Sequence, residues 1–197
     1  MVNLQIMYEA GCGPELYQAQ GKAHDCPDLT NELCPQCKKE YLRKHGFYNR
    51  YLIDIGFEGR IIIRRYYCRC CHKTVSLLPS FCHPKRTYST LVIFKLLESF
   101  YMKLNAVCMA VIRFIAATGI TVTRQLLRHY RRRIEENLNS LTMAVTEIYN
   151  LQAPPITEKT NTKEKVRQLL SNILYPQGDS LKIFERTRMS YLTQQAH

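Results

Sequence analysis

Apolar residues recur along this chain in two rhythms. Residues 48–55 and 61–67 are short runs rich in Tyr, Ile and Leu, separated by a turn at 56–59, which predicts a β-hairpin. From Leu91 the rhythm lengthens. Leu91, Phe94, Leu97 and Tyr101 fall three or four residues apart behind Ser89, a residue suited to capping a helix. A second helix is expected over 105–117, with Val107, Val111, Phe114 and Ile115 facing inward, and it stops at Thr118-Gly119. Thr121 or Thr123 then caps a third helix, because a threonine hydroxyl satisfies free amides of the first turn. No Pro or Gly follows until Pro154, so the third helix is expected to be long. Ile134, Leu138, Leu141, Val145 and Ile148 alternate steps of four and three along it. That seam suits either a homodimer through residues 134–148 or, as the favoured use, packing against the chain's own helices.

The flanks carry weaker patterns. Residues 2–8 alternate loosely like a short strand, and 11–28 are rich in Gly, Pro and polar side chains. A loop runs through Pro79 and Pro84, residues 151–162 resemble a linker, 163–174 form a short helix and 175–178 a turn. Nothing specific supports a partner-binding role for 181–191. The expected division is an irregular arm (1–33), a metal-binding hairpin (34–87), a helical domain (88–150), a linker (151–162) and a C-terminal helical segment (163–197). The class is α+β, a small β-hairpin zinc ribbon followed by a mainly α-helical helix-turn-helix domain.

Charge sharpens this picture because it is local. The chain has 28 Lys and Arg against 16 Asp and Glu, yet residues 38–138 alone hold 20 basic and 6 acidic side chains, a surplus of +14 that leaves −2 for the rest. A nucleic-acid footprint requires such concentration, whereas solubility needs only a modest net charge. No run of about 18 apolar residues exists, and the N-terminus lacks the pattern of an export signal. The expected location is cytoplasmic, nucleoid-associated if DNA-bound, with no membrane partner and no small-molecule substrate.

Nine cysteines are an odd number, and several sit at two-residue gaps, which favours metal-binding thiols over disulfides. Cys34-Pro35-Gln36-Cys37 and Cys68-Arg69-Cys70-Cys71 each allow two sulfurs of one tight turn to reach a single ion. Cys34, Cys37, Cys68 and Cys71 then complete the tetrahedron that zinc prefers. Cys70 ranks as a non-ligand or a weak alternate. Cys26, Cys82, His72 and His83 lack paired spacing for a second site, Cys12 falls in the arm, and Cys108 reads as a small core residue. Four thiolates close the shell and leave no position for a substrate, so the expected cofactor is one structural zinc ion and no catalytic residue is assigned.

The helices supply the second candidate chemistry. With Leu126, Leu127, Tyr130 and Ile134 inward, Arg124, Gln125 and Arg128 point outward near the start of the third helix. Arginine pairs with guanine and glutamine with adenine through two hydrogen bonds each. The run Arg131-Arg132-Arg133 suits phosphates, where charge matters and base identity does not. Duplex DNA is therefore the expected partner, and an RNA- or protein-interaction adaptor within a larger machine is the alternative.

The span from Cys34 to about Arg133 resembles the N-terminal part of bacterial insertion-sequence transposases, a zinc ribbon followed by a helix-turn-helix. Its most specific stretch is Tyr66-Tyr67-Cys68-Arg69-Cys70-Cys71-His72-Lys73-Thr74, similar to that family's second cysteine knuckle. Ser76-Leu77-Leu78-Pro79 is similar to the segment after it in a group of transposase-like proteins. The resemblance implies binding to DNA ends, with cleavage left to a separate domain of the ribonuclease H type that holds metal on acidic residues. This chain has only four aspartates, Asp25, Asp28, Asp54 and Asp179, and too few residues after the helices for such a domain. What carries over is DNA binding without nuclease activity, as in a transposition accessory protein or a transcriptional regulator.

Overall fold

The computed structural model describes residues 4–102, 106–151, 161–173 and 176–187, without the side chains of 177, 184, 186 and 187. It divides into two units, one ending at Ser89 and the other beginning at Thr90.

The first unit is built on a four-stranded sheet. Strands β2 (Arg43–Asp54) and β3 (Phe57–Tyr67) form the expected hairpin, longer than the apolar runs alone suggest. Its connection is tight, with Gly56 at φ 79°, a conformation glycine adopts without steric cost. Strand β4 (Thr74–Pro79) pairs antiparallel with β3, and β1 (Leu4–Tyr8) pairs parallel with β4, giving the order β1-β4-β3-β2. The pleat sends Leu52, Ile61 and Ile63 to one buried face of the hairpin.

Two expectations are corrected here. The arm at 1–33 is not irregular over its described part: β1 completes the sheet, and the short helix α1 (Pro14–Gln20) covers the edge of β3 that β4 leaves open. Tyr17 donates to the Ile62 carbonyl and Gln18 to that of Arg60, satisfying acceptors that a bare strand edge would leave to water. Residues 74–79, read as part of a loop, are a central strand. The segment after β4 is also anchored, since the Arg50 guanidinium donates to the carbonyls of His83 and Arg86 and the Ser89 hydroxyl donates to buried Asp54 at 2.6 Å.

The second unit is helical. Helix α2 (Thr90–Tyr101) buries Val92, Ile93, Phe94, Leu96, Leu97, Phe100 and Tyr101, more of its circumference than a one-faced pattern requires. It is the hub, contacting α3 (Val107–Thr118), α4 (Arg124–Glu136), α6 (Thr162–Ser171) and α7 (Pro176–Thr187). The long third helix is corrected to two helices, α4 and α5 (Leu138–Ile148), which meet at buried Asn137 with φ −95° and ψ 2°. Asparagine competes for local backbone hydrogen bonds and tolerates this bridge conformation, so no Pro or Gly is needed to end α4. The turn expected at 175–178 is also corrected from its second residue on: Pro176 opens α7, the first helical position being where its missing N–H costs nothing.

Ile134, Leu138, Leu141 and Val145 are buried within this unit, where α5 packs on α6 and α7. These four seam positions therefore pack against the chain's own helices, and Ile148 is half-buried. Residues 152–160, most of the expected linker, and 188–191, the end of the suggested partner segment, lie outside the described residues. Among the described residues no helix is long and apolar enough to cross a membrane.

Candidate metal centre

Cys34 and Cys37 lie just before β2, and Cys68 and Cys71 in the turn joining β3 to β4, so the antiparallel pairing of β2 with β3 brings the two knuckles to one end of the sheet. All four sulfurs lie within 4.8 Å of one another. Cys34 Sγ is 3.6 Å from Cys71 Sγ, and Cys37 Sγ is 3.6 Å from Cys68 Sγ. A tetrahedral ion with metal–sulfur bonds of about 2.3 Å needs edges of about 3.8 Å. The four cysteines can therefore hold a metal ion, and none of the nine cysteines is in a disulfide.

The two knuckles repeat one backbone design. The Cys34 amide donates to the Glu40 carbonyl at 2.9 Å and the Cys68 amide to the Lys73 carbonyl at 3.0 Å. In each, the residue after the second cysteine is left-handed: Lys38 at φ 54° and His72 at φ 55°. Neither is glycine, so each turn carries a steric cost of roughly 1–2 kcal/mol that the surrounding contacts must over-determine. The effect of that fold-back is to aim the amide of Lys39 at the Cys37 sulfur and the amide of Lys73 at the Cys71 sulfur.

Those amides act on ionisation. The Lys39 N–H draws the Cys37 thiol down to about 6, whereas burial pushes Cys68 up and takes Cys71 to about 12, where neighbouring sulfurs add to the effect. Four adjacent thiols cannot all become thiolates unaided; a metal cation held at their centre would supply the missing positive charge. Cys70 is exposed, and although its thiol reaches Cys37 it stays outside the four-sulfur group.

A family model described as a domain of unknown function, DUF6431, matches residues 34–114. The matched region begins at the first cysteine of the cluster and runs through the hairpin, β4, α2 and most of α3. Comparison with curated proteins and with solved structures gave no match.

Away from the matched region, α4 carries the other site residues. Gly119, left-handed at φ 71°, ends α3 by donating to the Ile115 carbonyl at 2.8 Å, and the Thr123 hydroxyl caps α4 by accepting from the Leu126 amide at 3.1 Å. Leu127, Tyr130 and Ile134 are buried, while Leu126 is only half-buried. Arg124, Gln125, Arg128 and Arg132 are exposed. The arginine run does not behave as a unit. Arg131 lies 3.9 Å over the Phe100 ring and pairs with Glu135, and Arg133, its side chain 14% exposed, pairs with Glu136 at 2.8 Å. Arg132 keeps 64% exposure beside Glu136.

Of the other candidates, His83 and Cys82 are fully buried after β4 and His72 is exposed, and among the described residues no second ligand cluster forms. Cys108 is half-buried rather than core. The sequence reading missed the amides of Lys39 and Lys73, which backbone turns aim and no side-chain pattern reveals. It also missed Glu135 and Glu136, whose spacing four residues after Arg131 and Arg132 was the available signal.

Proposed function

We propose that the chain is a DNA-binding protein in which one structural zinc ion organises the hairpin and a helix-turn-helix, α3 followed by α4, docks on duplex DNA. Zinc is the metal favoured because four thiolates in a tetrahedron suit it and leave no open position for chemistry. The observation that carries the DNA reading is the exposed stripe of Arg124, Gln125, Arg128 and Arg132 along an N-capped helix that follows a left-handed turn. Arg124, Gln125 and Arg128, on the first turns, are placed to read base edges; Arg132, one turn further on, meets phosphate. Arg131 contributes by holding α4 to Phe100 of α2, and Arg133 by pairing with Glu136 within α4. A relation to transposase N-terminal domains belongs to the same proposal and rests on the residue pattern at 66–74.

Binding of the full chain to labelled duplexes, read by fluorescence anisotropy across a salt series, tests this reading. Affinity should fall steeply with salt, and Arg124→Ala with Arg128→Ala should weaken it at least tenfold while Arg131→Met leaves the salt slope unchanged. Affinity indifferent to salt, or to both substitutions on the stripe, would overturn it. Tighter binding to structured RNA than to any duplex would favour the adaptor role instead.

A further inference from the structure

The hairpin has a second face that the metal site and α4 do not use. Strand alternation puts Phe47, Asn49 and Tyr51 of β2 on the side opposite buried Leu52, Ile61 and Ile63, directly across from Arg64, Ile62 and Arg60 of β3. Phe47 is 37% exposed and Tyr51 43%. Two exposed aromatic rings on one strand, about 13 Å apart at strand rise, have cations beside them, two at Phe47 and one across from Tyr51. Lys22 lies 5.6 Å and Arg64 5.5 Å from the Phe47 ring centre, and exposed Arg60 is the direct cross-strand partner of Tyr51. The Glu58 carboxylate beside them accepts a hydrogen bond from the Tyr51 hydroxyl and so fixes that ring by its edge.

We propose that this outer face of the β2–β3 hairpin is a stacking platform for an unpaired DNA strand. Bases stack on aromatic rings irrespective of sequence, and guanidinium and ammonium groups between the rings follow the phosphates. Duplex DNA, whose bases are already stacked, offers nothing to Phe47 and Tyr51. An acidic peptide would use the cations but leave both rings idle. Asn49 is the one neutral amide among these groups, so the face has charge and ring area to offer but little to recognise a 2′-hydroxyl, which favours DNA over RNA.

The chain contains no tryptophan, so Tyr51→Trp installs a unique fluorescent reporter on the platform. In the full zinc-loaded chain its emission should be quenched by a 20-nucleotide oligothymidylate and not by a 20-base-pair duplex. In the otherwise native chain, Phe47→Ala with Tyr51→Ala should weaken oligothymidylate binding at least tenfold and change duplex affinity less than twofold, whereas Arg124→Ala with Arg128→Ala should do the reverse. Both substituted rings face solvent, and unchanged metal content and circular dichroism confirm a native fold. Absence of quenching, equal loss of duplex and single-strand binding, or tighter binding to oligouridylate than to oligothymidylate would each overturn the proposal.

Discussion

Ile63 and Leu127 are both fully buried, yet their burial depends on different things. Ile63 sits in a sheet unit whose hairpin carries four clustered cysteine sulfurs at one end, in two turns that each hold a left-handed non-glycine residue. Leu127 sits in a helical unit where α2 touches four other helices. On the proposed reading, an ion would hold the knuckles of the first unit in their strained turns. The second needs only apolar area, capping and shape, and so should be indifferent to metal.

The largest effect that could break this contrast is removal of the ion. Chelation, or Cys68→Ser, should cost the first unit on the order of 10 kcal/mol. Its amide resonances should collapse while the helical circular dichroism of the second persists. Collapse of both signals together would dissolve the distinction. Next in size, Leu127→Ala should destabilise the helical unit by roughly 2–5 kcal/mol through a cavity between α4 and α2, with zinc content unchanged, as denaturant titration with parallel metal analysis would show.

Acid provides a smaller and more local probe. Burial lowers His83 to about 3, with Arg86 and Arg50 adding to the effect against the hydrogen bond to the Pro84 carbonyl. Its folded value lies below the unfolded one, near 6.5, so the unfolded chain binds the extra proton. The stability due to neutral His83 is complete above that value and lost as pH falls towards 3. Between pH 7 and pH 5 the first unit should lose about 2 kcal/mol, and His83→Gln should remove that part of the slope; identical pH profiles for the two proteins would refute the assignment. Smallest of all, Thr123→Ala should cost the helical unit about 1 kcal/mol by orphaning the Leu126 amide, seen as a drop of a few degrees in its melting temperature alone.

What the sequence disclosed follows the range of the interactions concerned. The hairpin and the four clustered cysteines were legible because Tyr- and Ile-rich runs and two-residue cysteine gaps are local signals. The alternation of β1 was visible but its pairing was not, because it joins residue 4 to residue 75, and the apolar stretch Thr74–Pro79 becomes a strand only between two neighbours. The helical periodicity of α2, α3 and α4 was legible, but the break at Asn137 turned on one residue's local hydrogen bonding. The separate surroundings of the three arginines were hidden for a similar reason: side chains consecutive in sequence point a hundred degrees apart on a helix, so Arg131 and Arg133, both half-buried, flank the buried face while Arg132 faces out.

The central claim is that four cysteine sulfurs enclose one zinc ion. X-ray absorption at the zinc edge on the purified full chain, with metal content measured on the same sample, tests it most directly. One zinc per chain with four sulfur neighbours at about 2.3 Å is the expected result. A shell containing nitrogen or oxygen, or a chain that keeps its hairpin intact with no bound metal, would contradict it.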